Sequence, residues 1–148
     1  MSEKLKKKIY RIIDANMNRA LEGLRVIEEY FRFIEINKQA QLQLKKIRHR
    51  LIDVIKKIDK IKLLKNRDSD KDIGAKYSTT EELNKTDVLE ILFSNFKRAQ
   101  ESLRVLEEYS KLIDSSLLVD LKKNRFELYT FEKNIILKIS RKKVGVKK

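Results

Sequence analysis

The chain has no cysteine, no proline and no tryptophan, three glycines and a single histidine, His49. Without cysteine there can be no disulfide framework, thiolate metal site or cysteine nucleophile. That suits the cytoplasm, which is the expected location. One histidine, placed by its helical-wheel angle away from the apolar stripe, excludes histidine-based triads and zinc clusters. Neither the Walker-type nor the dinucleotide-type glycine motif is present, so helices would have to supply any phosphate site. The basic residues 1–8 lead into no long apolar run, which argues against a secretory signal or a membrane span. Aromatics are only 7% of residues, and no stretch interleaves them with Arg and Lys as single-strand binders do, so nucleic acid is not the expected partner.

What the chain does have is charge and helical periodicity. Lys and Arg total 36 against 22 Asp and Glu, a formal charge of +14. Such a balance raises nucleic acid, an acidic membrane surface or phosphorylated small molecules as partners. A length of 148 residues, 41% of them hydrophobic, fits one domain with its own core. Ile9, Ile12, Ile13, Ala20, Leu24, Ile27, Phe31 and Ile34 recur at threes and fours and predict a helix over 6–35. Asn37 is placed to cap a second, with Ala40, Leu44, Ile47, Leu51, Val54, Ile55 and Ile58 inside. Asn84 or Thr86 would cap a third carrying Val88, Leu92, Ala99, Leu103, Leu106 and Ile113. Asp114, Ser115 and Ser116 would start a fourth, with Leu117, Leu121, Leu128, Phe131 and Ile135 inside.

The run from Asn16 to Tyr30 returns 79 positions later, from Asn95 to Tyr109, with ten of fifteen positions identical. Packing alone would keep the apolar positions, yet the polar ones match: Asn16/Asn95, Arg19/Arg98, Glu22/Glu101, Arg25/Arg104, Glu28/Glu107 and Glu29/Glu108. Likeness continues from Lys45–Leu51 into Lys122–Leu128, so the duplicated unit is a helix pair. Two copies are too few for a solenoid, which predicts an all-α, pseudo-twofold four-helix bundle. The single domain would comprise a first repeat over about 6–62, a loop over 63–85, a second repeat over about 86–140 and a basic tail over 141–148.

On a wheel of about 100° per residue, Asn16, Arg19 and Gly23 fall inside the arc of Ala20, Leu24, Ile27, Tyr30, Phe31 and Ile34. Asn95, Arg98 and Ser102 take the same angles, so two Asn/Arg pairs are expected to face the interior. Glu22, Glu29, Glu101 and Glu108 stand at the edge of the arc. A buried guanidinium needs an anion or several acceptors. Two readings are open: a closed ion-pair network that fixes the halves, or a cavity whose arginines grip phosphate while the amides read a small ring. Arg25 and Arg104 point outward and pair with Glu29 and Glu108. In the inter-repeat loop Asp68, Asp70 and Asp72 precede Gly74. An EF-hand would need its glycine one residue earlier and a glutamate at Thr79, whereas magnesium needs only one or two carboxylates plus ligand phosphates. The competing reading is a solvated acidic turn.

Three ordered motifs carry a resemblance: Asp14-Ala15-Asn16-x-Asn18-Arg19-Ala20-x-Glu22-Gly23-Leu24-Arg25-Val26-x-Glu28; Arg67-Asp68-x-x-x-Asp72-x-Gly74; and Asn95-x-x-Arg98-Ala99-x-Glu101-x-Leu103-Arg104-Val105-x-Glu107-Glu108. Over about residues 9–133 the chain resembles the monofunctional hydroxymethylpyrimidine phosphate kinases of thiamine biosynthesis, found alone or fused ahead of thiamine-phosphate synthase. No fusion partner accompanies the domain in this sequence, so a stand-alone member is expected. The resemblance implies phosphorylation of 4-amino-2-methyl-5-hydroxymethylpyrimidine phosphate to the diphosphate with ATP and Mg2+, and a functional link to thiamine-phosphate synthase. On it, Asn16, Arg19, Glu22, Glu29, Asn95, Arg98, Glu101 and Glu108 would bind substrate. Arg67, Asp68 and Asp72 would be catalytic, with Asp68 and Asp72 also holding the metal. Ser102 stands where the first copy has Gly23, so the halves are not equivalent sites. The competing class is a non-enzymatic basic bundle that binds RNA or a protein partner; self-association is left open.

Overall fold

A computed structural model describes residues 1–76 and 87–146. Its helices are α1 (Glu3–Glu29), α2 (Lys38–Ile55), α3 (Lys60–Asn66), α4 (Val88–Ser110) and α5 (Leu118–Val146), with no strand among the described residues. The caps explain the boundaries. The Ser2 hydroxyl accepts from the Leu5 N–H at 3.2 Å, and Asn37 Oδ1 accepts from the Ala40 N–H at 3.1 Å, as expected. α1 ends in a π-helical turn, Tyr30–Ile34, whose wider spacing turns the chain before Asn37 caps α2. Asp114 caps a 3₁₀ turn, Ser115–Leu117, that runs into α5.

The predicted bundle is present. α1 packs against α2 and α4, α5 packs against α2 and α4, and the apolar stripes of all four meet in one core, but Ile34 and Val88, expected inside, are exposed because they lie in the terminal turns, beyond the helix–helix contact. Phe31, Phe96 and Phe131 join its layers, with ring centroids 6.1 Å (Phe31–Phe131) and 6.0 Å (Phe96–Phe131) apart. α1 and α4 approach closely at Gly23, where an added Cβ would stand 3.1 Å from the Asn95 carbonyl oxygen and 3.4 Å from Ala99 Cβ. On the α2/α5 side, equivalent positions of the two copies meet: Asn124 Nδ2 donates to the Ile47 carbonyl at 3.2 Å, and Arg50 pairs with Glu127.

Three boundaries differ from the expected ones. The segment read as a loop from residue 63 begins inside α3, because Asp59 caps the helix and Leu63 buries against the core. Seven residues are too few for periodicity to declare itself. Asn84 and Thr86 lie outside the described residues, and the cap of α4 is Asp87, which accepts from the Leu89 N–H at 2.9 Å. Residues 141–146, read as a frayed tail, continue α5 as helix. No described helix is long and apolar enough to cross a membrane.

Candidate functional site

The N-terminal half of α1 and the chain leaving α3 enclose a cleft of about 760 Å³. From α1 come Lys8, Arg11, Ile12, Asp14, Ala15, Asn16, Asn18 and Arg19; from the second wall come Arg67, Asp68, Ser69, Lys71, Asp72 and Ile73. Five cations face three carboxylates, so the cleft favours anions. Asn16 is 5% exposed and donates from Nδ2 to the Ile12 carbonyl at 2.8 Å. This fixes the amide and turns Oδ1 to Arg19, whose Nη1 lies 3.5 Å away.

The second wall is tied to the first by charge. Arg67 caps the C-terminus of α3, and its Nε and Nη2 donate to the two Asp14 oxygens at 2.6 and 2.7 Å. Asp14 is 7% exposed, and its side-chain hydrogen bond raises the Arg67 pKa above its already high value. Arg11 Nη2 adds a longer contact to the Asp68 carbonyl at 3.4 Å. Beyond it, Ser69–Lys71 forms a 3₁₀ turn, and Asp72 Oδ1 accepts from the Gly74 N–H at 2.8 Å.

The structure therefore gathers Asn16, Arg19, Arg67, Asp68 and Asp72 in one place and leaves the other named residues out. Arg19 and Arg98 are exposed, not buried as expected. The apolar arc is narrower than the wheel suggested, and long side chains at its margin extend their charged ends to water. Asn95 is half-buried and copies the Asn16 geometry, donating to the Ile91 carbonyl at 2.8 Å. It does not share a cavity with Asn16, since its backbone lies against Gly23, seven residues or about 10 Å of helix away. Arg98 lies 3.9 Å from Glu22, and Glu29 and Glu108 brace Arg25 and Arg104 at 3.9 and 2.9 Å. Glu101 is exposed, and none of these lines the cleft.

Two repeated carboxylates with no expected site role, Glu28 and Glu107, are buried. Glu28 is 3% exposed and accepts from Arg48 Nε at 2.9 Å and Gln41 Nε2 at 3.1 Å. Burial pushes its carboxyl up, but Arg48, Gln41 and Arg25 outweigh this and hold it below the usual glutamate range. Glu107, 4% exposed, accepts from the Nε/Nη2 edge of Arg125 with both of its oxygens. Each hairpin is thus stapled by the same buried Glu–Arg pair, and their identity across the copies follows from packing. Asp14, missed as a site residue, had a sequence signal only in the motif it opens.

Among the described residues no group of three or more His, Asp or Glu side chains is spaced to hold a metal ion. Asp68 and Asp72 both line the cleft, and magnesium takes one or two carboxylates and completes its shell from water and phosphates.

A profile of the ThiD2 family matches residues 11–134. The chain belongs to the ThiD2 family. The chain is 39% identical over 134 residues to a thiamine-phosphate synthase of Nostoc punctiforme, covering 90% of this chain and 37% of that protein. It is 38% identical over 128 residues to that of Synechocystis, covering 86% and 36%, and 34% identical over 132 residues to that of Rhodopirellula baltica, covering 89% and 35%. The chain thus spans about a third of the length of these relatives. No solved structure gives a significant match.

Proposed function

We propose that the α1/α3 cleft is the ThiD2 active site, where the phosphate of 4-amino-2-methyl-5-hydroxymethylpyrimidine phosphate takes the γ-phosphoryl group of ATP. The observation that carries this is the meeting of Asn16 and Arg19 with Arg67, Asp68 and Asp72 across one cationic cleft. Asn16 and Arg19 form the substrate wall, the amide reading the ring and the guanidinium gripping the phosphate. Arg67, with Lys8, Arg11 and Lys71, spreads positive charge over the nucleotide phosphates. Phosphoryl transfer is mostly positioning and charge neutralisation, and a phosphate monoester with a second pKa of about 6 is already a dianion at neutral pH. No general base is then required: a substrate phosphate oxygen bonds to the γ-phosphorus as the bond to ADP breaks. Asp68 and Asp72 would hold Mg2+, which supplies neutralisation of the β- and γ-phosphate oxygens.

An unphosphorylated alcohol offers Arg19 no phosphate to grip and brings a neutral hydroxyl in place of the dianionic attacking oxygen, which predicts selectivity for the phosphorylated substrate. We also place the product in the same sequence of reactions as thiamine-phosphate synthase, the name its relatives carry. Phosphorus NMR with ATP, Mg2+ and the pyrimidine phosphate, beside a tube holding the unphosphorylated alcohol, tests the reading. Diphosphate in the first tube alone is expected; no product in either, with the ligands confirmed intact, would refute it.

A further inference from the structure

We infer that Asp14 is the positioning residue of this site: it orients Arg67 so that the guanidinium edge left free faces phosphate in the cleft. The inference rests on the cleft being the kinase site but concerns a residue to which the family motifs assign no role. Asp14 is buried on α1, and both of its oxygens engage the Nε/Nη2 edge of Arg67, 53 residues away. A carboxylate gripping one edge of a planar fork fixes the plane of the whole group and leaves Nη1 and the outer Nη2 proton for another acceptor. Arg67 has its side chain 42% exposed and lines the cleft, so the free edge has both room and an anion-favouring setting. Arg11 steadies the same segment through the Asp68 carbonyl.

The second copy provides the contrast. At the positions equivalent to Asp14 and Arg11 it carries Phe93 and Glu90. It keeps the Asn95 amide geometry of Asn16 but has no carboxylate at the place where Arg67 is held. Among the described residues the device is therefore found with the first repeat and not with the second.

The test uses the full chain with inorganic tripolyphosphate as the binding probe and the kinase assay as a separate readout. Asp14→Asn keeps the shape and removes the charge; Arg67→Lys keeps the charge and loses the fork. Each is expected to weaken tripolyphosphate binding at least tenfold and raise KM for ATP, with the double variant no worse than the single ones. Added methylguanidinium should restore activity to Arg67→Ala while Asp14 is present and not in the Asp14→Asn background. If Asp14→Asn fails to fold, Arg67→Lys and the rescue of Arg67→Ala decide alone. Wild-type binding and KM in the folded variants, or rescue that ignores Asp14, would overturn the inference. A wild-type chain without kinase turnover whose tripolyphosphate binding still depends on Asp14 would refute the kinase site and leave the positioning role standing.

Discussion

The two repeats share their staples and differ in their clefts. Glu28–Arg48 and Glu107–Arg125 close the two hairpins in the same way, and Asn16 and Asn95 bond their own helices identically. Only the first copy adds Asp14, Arg11 and the α3 wall. Identity between the copies therefore does not by itself mark a site: the buried Glu–Arg pairs repeat because each hairpin needs them, whereas Asn16 and Arg19 repeat yet line the cleft in the first copy only, together with residues at which the copies diverged. Duplication gave a symmetric frame, and the α1/α3 cleft draws on one half of it.

The largest effects should be the symmetric ones. Glu28→Ala and Glu107→Ala each strand a mostly buried arginine, which costs about 3–5 kcal/mol. Chemical denaturation should give similar losses for both, and a loss confined to one would break the equivalence of the staples. Next comes the asymmetric pair. Arg19→Ala removes a charge-assisted contact of about 1.5–3 kcal/mol, so kcat/KM should fall roughly 10- to 150-fold. Arg98→Ala, outside the cleft, should stay within about threefold. Equal losses would mean that both copies bind substrate.

The helix crossing offers a smaller contrast. Gly23→Ser, which copies the second repeat into the first, pushes an atom toward the Asn95 carbonyl and should cost about 1–3 kcal/mol. Ser102→Gly should cost about 0.5–1 kcal/mol, the ordinary helix penalty for glycine. The smallest effect is on pH. The folded Glu28 carboxyl titrates below its unfolded value, so the stability it contributes is present above about pH 4.3, the ordinary glutamate value. That stability is lost as pH falls through the lower folded value. Glu28→Gln should flatten the acid limb of the melting profile, and an unchanged limb would show that Glu28 does not set it.

Helix order, the Asn37 and Asp114 caps and the buried stripes could be read from sequence because periodicity and capping are local. The meaning of the repeated polar residues could not. Nothing local marks Glu28 as buried, because its partners, Gln41 and Arg48, belong to another helix. The exposure of Arg19 is equally hidden, because a wheel shows direction and not how far a long side chain reaches. Of the cleft, the Asn16–Arg19 wall and the Arg67–Asp72 wall each stood in a motif. Their meeting depended on Asp14 finding Arg67 across 53 residues, a contact that no spacing rule reaches.

The proposed site draws on α1 and the segment leaving α3, and not on the second repeat. Amide shift mapping of labelled protein titrated with the pyrimidine monophosphate tests it most directly. The account predicts saturable shifts over residues 8–19 and 67–73 at one ligand per chain; equal shifts around Asn95 and Arg98 at two per chain would contradict it.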